Sequence, residues 1–170
     1  EGTYEKFDTI DAAKLGIYTL SEIAGLYIPI VSYVVNIVKE IKKTFKKAQN
    51  NKDICLILFE RAKDAESVMN KILNYKDDYE EFLREEKSYK AFHKFKILLI
   101  KIKDFVVEVS ELKSVRKFLD ANSVKSTYDK LTNEFETCIK DLHFEVMIVN
   151  EVQKRKDNKK VKDDLEKMNK

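Results

Sequence analysis

No glycine and no proline follows Pro29 in this chain, and the three glycines, Gly2, Gly16 and Gly25, all precede it. Tight hairpin turns draw on residues that tolerate positive φ, so everything after residue 29 lacks the chemistry of a strand-rich fold. The expected fold class is all-α. With 170 residues and 44 % hydrophobic content, the chain is long and apolar enough for one domain with a genuine core. The same numbers exclude a disordered tail.

The breakers that do exist crowd a charge-poor stretch. Residues 15–38, 24 in all, carry one charge, Glu22, in a chain that is 37 % charged. Roughly 20 apolar residues in a helix suffice to cross a hydrocarbon core, so length alone permits a membrane span. Glu22, Pro29 and Asn36 argue against a simple one. The residue before a proline is pushed away from helical geometry, whereas proline fits a first helical turn. Two helices meeting near residues 27–29 are therefore expected, the first capped by Asp8 with Asp11 favourable to its dipole. Asp11, Lys14, Tyr18 and Glu22 form one narrow polar stripe on it. Such a helix packs into its own bundle or seeks a membrane.

Helical spacing then marks the rest. Ile30, Val34, Ile37, Val38, Ile41, Phe45 and Ala48 predict helix over 29–49, and Asn50 and Asn51 a turn and cap. Ile54, Cys55, Leu58, Ala62, Ala65, Val68, Met69 and Ile72 mark the next helix, antiparallel to the first because the connection is so short. Residues 74–87 read as the longest loop, with a short amphipathic turn at Tyr79, Phe82 and Leu83. Phe92, Phe95, Leu98, Leu99, Ile102, Val106 and Val109 predict helix over 88–112. A brief helical piece through Arg116, Phe118 and Leu119 ends at Asn122 and Ser123. Tyr128, Leu131, Phe135, Cys138, Leu142, Val146 and Val149 define the last long helix, from Val124. The economical arrangement is an antiparallel four-helix bundle over 29–153, with a hydrophobic helix in 1–28 and a charged helical extension in 154–170.

Motifs for catalysis are sparse. Phosphate-cradling loops need glycines, and none lies beyond Gly25. His93 and His143 belong to no metal-ligand pattern and read as surface-edge histidines; Cys55 and Cys138 read as reduced, buried thiols of an intracellular protein. No enzyme activity, cofactor or metal is expected. Arg61 sits on the buried side of its helix, where an unpaired charge is costly, so a carboxylate from a neighbouring helix or snorkelling of its stem is expected. The chain starts at Glu1, so a preceding segment is expected; no secretory signal pattern is present.

Charge is distributed unevenly around a net of +3. Lys39, Lys42, Lys43, Lys46 and Lys47 are five lysines in nine residues, opposed in that window only by Glu40. On a helix they span roughly 140°, opposite the apolar stripe. Each lysine near an anionic leaflet is worth about 1 kcal/mol, enough together for recruitment. Residues 77–86 reverse the sign, with six acids against Arg84, and residues 154–170 mix eight basic with four acidic side chains. That mixture reads as a solvated helix or frayed end, and a broad nucleic-acid surface is not expected.

The run Asn51-Lys52, then Cys55, Leu58 and Arg61, after a helix opening with proline, resembles the N-terminal four-helix bundle of the mixed lineage kinase domain-like family. Residues 115–142 are similar to that family's short helix and last bundle helix, and the resemblance covers about 29–153. Related HeLo bundles precede kinase or repeat domains in fungal proteins, and a fungal kinase-associated homologue is implied. The resemblance implies a cell-death executioner that binds phosphoinositides or other anionic phospholipids, oligomerises with itself and permeabilises membrane. A kinase or pseudokinase domain in the same full-length chain, and a cytoplasmic protein conditionally at or in the plasma membrane, are also implied. By position, Lys39, Lys42, Lys43, Lys46 and Lys47 would bind lipid, and Lys154, Arg155 and Lys156 would lie in a brace controlling oligomerisation. Leu15, Ile17, Leu20, Ile23, Leu26 and Tyr27 would insert, by analogy with HeLo and plant immune-receptor bundles. Pro29, Asn51, Cys55 and Arg61 would be structural. The bundle also resembles that of Cbl-type adaptors, which implies the rival role of recruiting a kinase or scaffold through protein contacts.

Overall fold

The computed structural model describes residues 15–111, 121–143 and 151–168, and among them every regular element is a helix. These are α1 (Leu20–Lys47), α2 (Lys52–Asn74), α3 (Glu80–Arg84), α4 (Glu86–Ser110), α5 (Ala121–His143) and α6 (Glu151–Met168). The all-α expectation holds. The cap at Asp8, the polar residues Asp11 and Lys14, the brief piece at 114–119, and Val146 and Val149 lie outside the described residues.

Helix α1 corrects the reading of Pro29. No break occurs there; α1 starts at Leu20, with the Thr19 hydroxyl accepting from the Glu22 backbone N–H at 3.2 Å, and runs through the proline. A proline in a helix interior costs about 3 kcal/mol. The core stripe explains why that cost is met: Ile23, Tyr27, Ile30, Val34, Ile37, Val38 and Ile41 are all buried, at one continuous helical spacing across Pro29. Burying each such side chain is worth about 1.5–3 kcal/mol, so keeping both halves in register outweighs the local penalty. Pro29 and Gly25, whose carbonyl loses its i+4 donor, both face solvent, where water can serve that carbonyl. A boundary between residues 28 and 29 would therefore cut a single helix.

Helix α4 lies at the centre, packed on α1, α2, α3 and α5. Tyr27 meets Tyr89 and Phe92 at one end while Glu40 pairs with Lys103 further along, so α1 and α4 run the same way. Asn51 Nδ2 donates to the Val109 carbonyl at 3.0 Å and the Cys55 thiol faces the Val106 carbonyl at 3.9 Å, so α2 runs opposite. Phe95 on Phe135, 5.4 Å between centroids, joins α4 to α5. Helix α6 packs on both α2 and α5.

Three further readings change. Asn51 does not cap α2 with its side chain; it sits in left-handed geometry at φ 53° and spends its amide on α4. The cap is the Asp164 carboxylate of α6, which accepts from the Ile54 N–H at 3.0 Å. The tail is thus no solvated helix: Asp157, Val161, Asp164 and Leu165 are all buried. Asn122 and Ser123, expected to precede the last helix, lie within the first turn of α5.

His93 is buried, not at a surface edge, with its ring 4.9 Å from that of Tyr89. Burial first, and Lys96 second, hold its imidazole down at about 4. Between the unfolded value near 6.5 and that figure, the unfolded chain binds more protons, so His93 supports the fold above about pH 6.5 and its contribution is lost as pH falls toward 4. Acidifying from pH 7 to 5 is expected to lose about 2 kcal/mol of stability through this group. Urea titrations at both pH values should show it, and His93→Phe should flatten the difference; an equal slope in the variant would refute it.

Candidate functional site

The lysine face forms as its spacing predicts. Lys39, Lys42, Lys43, Lys46 and Lys47 are all exposed on the last turns of α1, opposite Val34, Ile37, Val38 and Ile41 in the core. None of the five is held in an ion pair among the described residues. Glu40, the one acid among them, is drawn aside to Lys103 Nζ of α4 at 3.5 Å. Lys39 also acts on Glu66 of α2, whose carboxyl is pushed up by burial and drawn back by Lys39 and Lys63. The two lysines of the last turn also offset the negative end of the helix dipole.

Beside this face, Lys43 and Lys47 overlook a hollow of about 540 Å³ shared with Asn50, Ser110 and Glu111. Asn50 Nδ2 is buried with no acceptor among the described residues. That donor, the two lysines and the acidic Glu111 thus line one hollow.

The insertion residues divide. Leu15, Ile23 and Tyr27 are buried in the core, Leu20 and Leu26 are partly buried against it, and Ile17 is 81 % exposed. Tyr27 is the anchor: its hydroxyl donates to the Leu83 carbonyl of α3 at 2.8 Å, and its ring stands edge-on to Tyr89 and Phe92 at 5.2 and 4.7 Å. Burial pushes that hydroxyl far above the usual phenol range. Arg84 Nη1 donates to the Tyr18 carbonyl at 2.8 Å. Short helix α3 therefore clamps the start of α1, a role its acid-rich sequence conceals. The feature that could have revealed it is Leu83 among the acids, a residue with no exposure at all.

The remaining structural residues fall as follows. Pro29 is exposed, while Asn51 and Cys55 reach α4. Burial pushes the Cys55 thiol up to about 12 and that of half-buried Cys138 up to about 11, so neither is poised as a thiolate nucleophile. Arg61 finds the expected carboxylate in Asp157 of α6, at 3.2 Å, with side chains 14 % and 8 % exposed. The side chains of Lys154, Arg155, Lys156 and His143 lie outside the described residues.

Among the described residues no three His, Cys, Asp or Glu side chains cluster to hold a metal ion. Among the described residues one helix, Leu20–Lys47, is long and apolar enough to cross a membrane by length and composition; 44 % of its most apolar window is buried in the protein. Buried core helices meet the same criterion. No family model, no curated protein and no solved structure matches this chain.

Proposed function

We propose that this chain is a non-catalytic membrane-targeting bundle of the cell-death type, recruited to anionic phospholipid by the lysine face of α1. In this reading α1, α2, α4 and α5 make a four-helix bundle in which α1 runs parallel to the central α4 and α2 antiparallel to both, with α6 packed on α2 and α5. The observation that carries it is the exposure of all five lysines, with no ion pair among the described residues, on the face turned away from the core. Release of residues 15–27 from the α3 clamp, followed by insertion and self-association, would convert recruitment into permeabilisation.

An arc of roughly 140° cannot lie wholly on a plane, so about three lysines engage at once, worth about 3 kcal/mol. Changing all five to glutamine is therefore expected to weaken binding to phosphatidylserine vesicles about a hundredfold. Vesicle co-sedimentation at low and physiological salt measures this, and dye leakage follows permeabilisation. Equal binding by wild type and variant, or none by wild type, would sink the reading.

The adaptor reading retains one specific support, the burial of Leu15, Ile23 and Tyr27. It requires that segment to stay packed permanently and the protein to ignore lipid. Amide exchange in the first turns of α1, with and without vesicles, separates the two.

A further inference from the structure

Glu40 is the one acid able to quench the lysine face from within α1. At about 100° per residue it falls about 20° past Lys47 and about 60° from Lys43, at the border of the basic arc. Lys43, at i+3, is the partner that helical spacing offers it. Such a pair would compensate one cation of the face and hold its side chain down on the helix. The protein pairs Glu40 elsewhere: Lys103 Nζ of α4 lies 3.5 Å from its Oε2. Helix register puts Lys103 there. One heptad earlier on both parallel helices, Lys96 Nζ stands 5.4 Å from the ring centroid of Tyr33, so two contacts about two turns apart set the relative height of α1 and α4. The Lys103 side chain is 28 % exposed against 57 % for Glu40, which makes the cation the better-held partner. Asp104 Oδ1 lies 3.7 Å from the same ammonium. On the opposite flank, Glu66 of α2 feels both Lys39 and Lys63. Each acid bordering the face thus has a lysine from outside it.

We propose that Lys103 is a positioning residue for the lysine face: by holding Glu40 toward α4, it leaves Lys43 and its neighbours uncompensated for the phosphates of an anionic bilayer. This rests on the lipid-binding reading and deepens it, naming a residue of another helix that sets the charge of the site through Glu40 and not through lipid. An ion pair this exposed adds little to stability. Its effect on the face is larger, because each lysine left uncompensated near an anionic leaflet contributes separately to recruitment.

The test is a double-variant cycle read by co-sedimentation with phosphatidylserine vesicles. Lys103→Gln should weaken binding about fivefold, the share of about one lysine. In the Glu40→Gln background the same change should be nearly silent, because the acid that Lys103 restrains is gone. Lys103→Arg, which keeps the charge and the reach, should bind as wild type does, and the urea midpoint of Lys103→Gln should match that of wild type. Equal weakening in both backgrounds would mean that Lys103 meets lipid with its own charge, and would overturn the positioning role. So would binding unchanged by Lys103→Gln while the variant lacking all five lysines loses it, an outcome that leaves lysine recruitment standing. Absence of vesicle binding by the wild type overturns both readings together.

Discussion

Asp157→Ala is expected to lower the stability of this protein by about 3–5 kcal/mol, because it takes the hydrogen-bonded carboxylate from the Arg61 guanidinium in a site nearly closed to water and leaves the charge of exposed Asp64 to act on it instead. The two side chains are 14 % and 8 % exposed and 3.2 Å apart, and Tyr128 lies close enough for both charges to act on its hydroxyl, itself pushed up to about 12 by burial. An ion pair out of water gains little over a well-packed apolar pair, but a lone charge there has no compensation. Removing both partners should therefore be mild where removing one is severe. The double variant Arg61→Met with Asp157→Leu is expected to recover most of the lost stability. Urea denaturation at pH 7 distinguishes these outcomes; a single variant within about 1 kcal/mol of wild type, or a double variant no better than the single, would contradict the argument. A loss of that size is a third or more of the stability of a typical domain.

The same pair shows what a sequence can and cannot disclose. Arg61 betrays itself, since a charge on an apolar helical stripe demands an explanation. Asp157 does not, because it lies among lysines in a segment whose composition resembles solvent-facing helix. Its heptad partner Asp164 is equally silent: a carboxylate seven residues further along the same face, capping a helix more than a hundred positions earlier, leaves no local trace. Pro29 misled for the opposite reason. Its local preference is strong and readable, whereas the counterweight is the summed burial of Ile23 and Tyr27 before it and Ile30 and Val34 after it. That sum is a tertiary quantity. The lysine face was legible because surface position follows from helical spacing alone, once the opposite stripe is known to be core. The face taken by Ile28 was not, because a helix break read at Pro29 removes the register that sets Ile28 among the lysines and Ile30 on the core stripe.

Tyr27 is where the stability of α1 and its proposed release meet. Tyr27→Ala is expected to cost about 3–5 kcal/mol, from the cavity left between Tyr89 and Phe92 and from the loss of its hydrogen bond to the Leu83 carbonyl. Tyr27→Phe keeps the ring and loses only the hydroxyl, so about 1–2 kcal/mol is expected, including the buried carbonyl left without that donor. The comparison separates packing from clamping. If α3 holds the start of α1 through this contact, the phenylalanine variant should already exchange amides faster in the first turns of α1 and around Leu83. The far end, where Phe45 stacks on Phe59 at 6.0 Å between centroids, should stay as protected as in wild type. Uniform loosening along α1 would instead mean that the helix opens as one unit and that no local clamp exists. The lysine face is untouched by either change, so recruitment to anionic vesicles should persist while leakage rises in the order wild type, Tyr27→Phe, Tyr27→Ala. Vesicle leakage unchanged or reduced across that series, with binding intact, would show that residues 15–27 belong to the core for good and would favour the adaptor role.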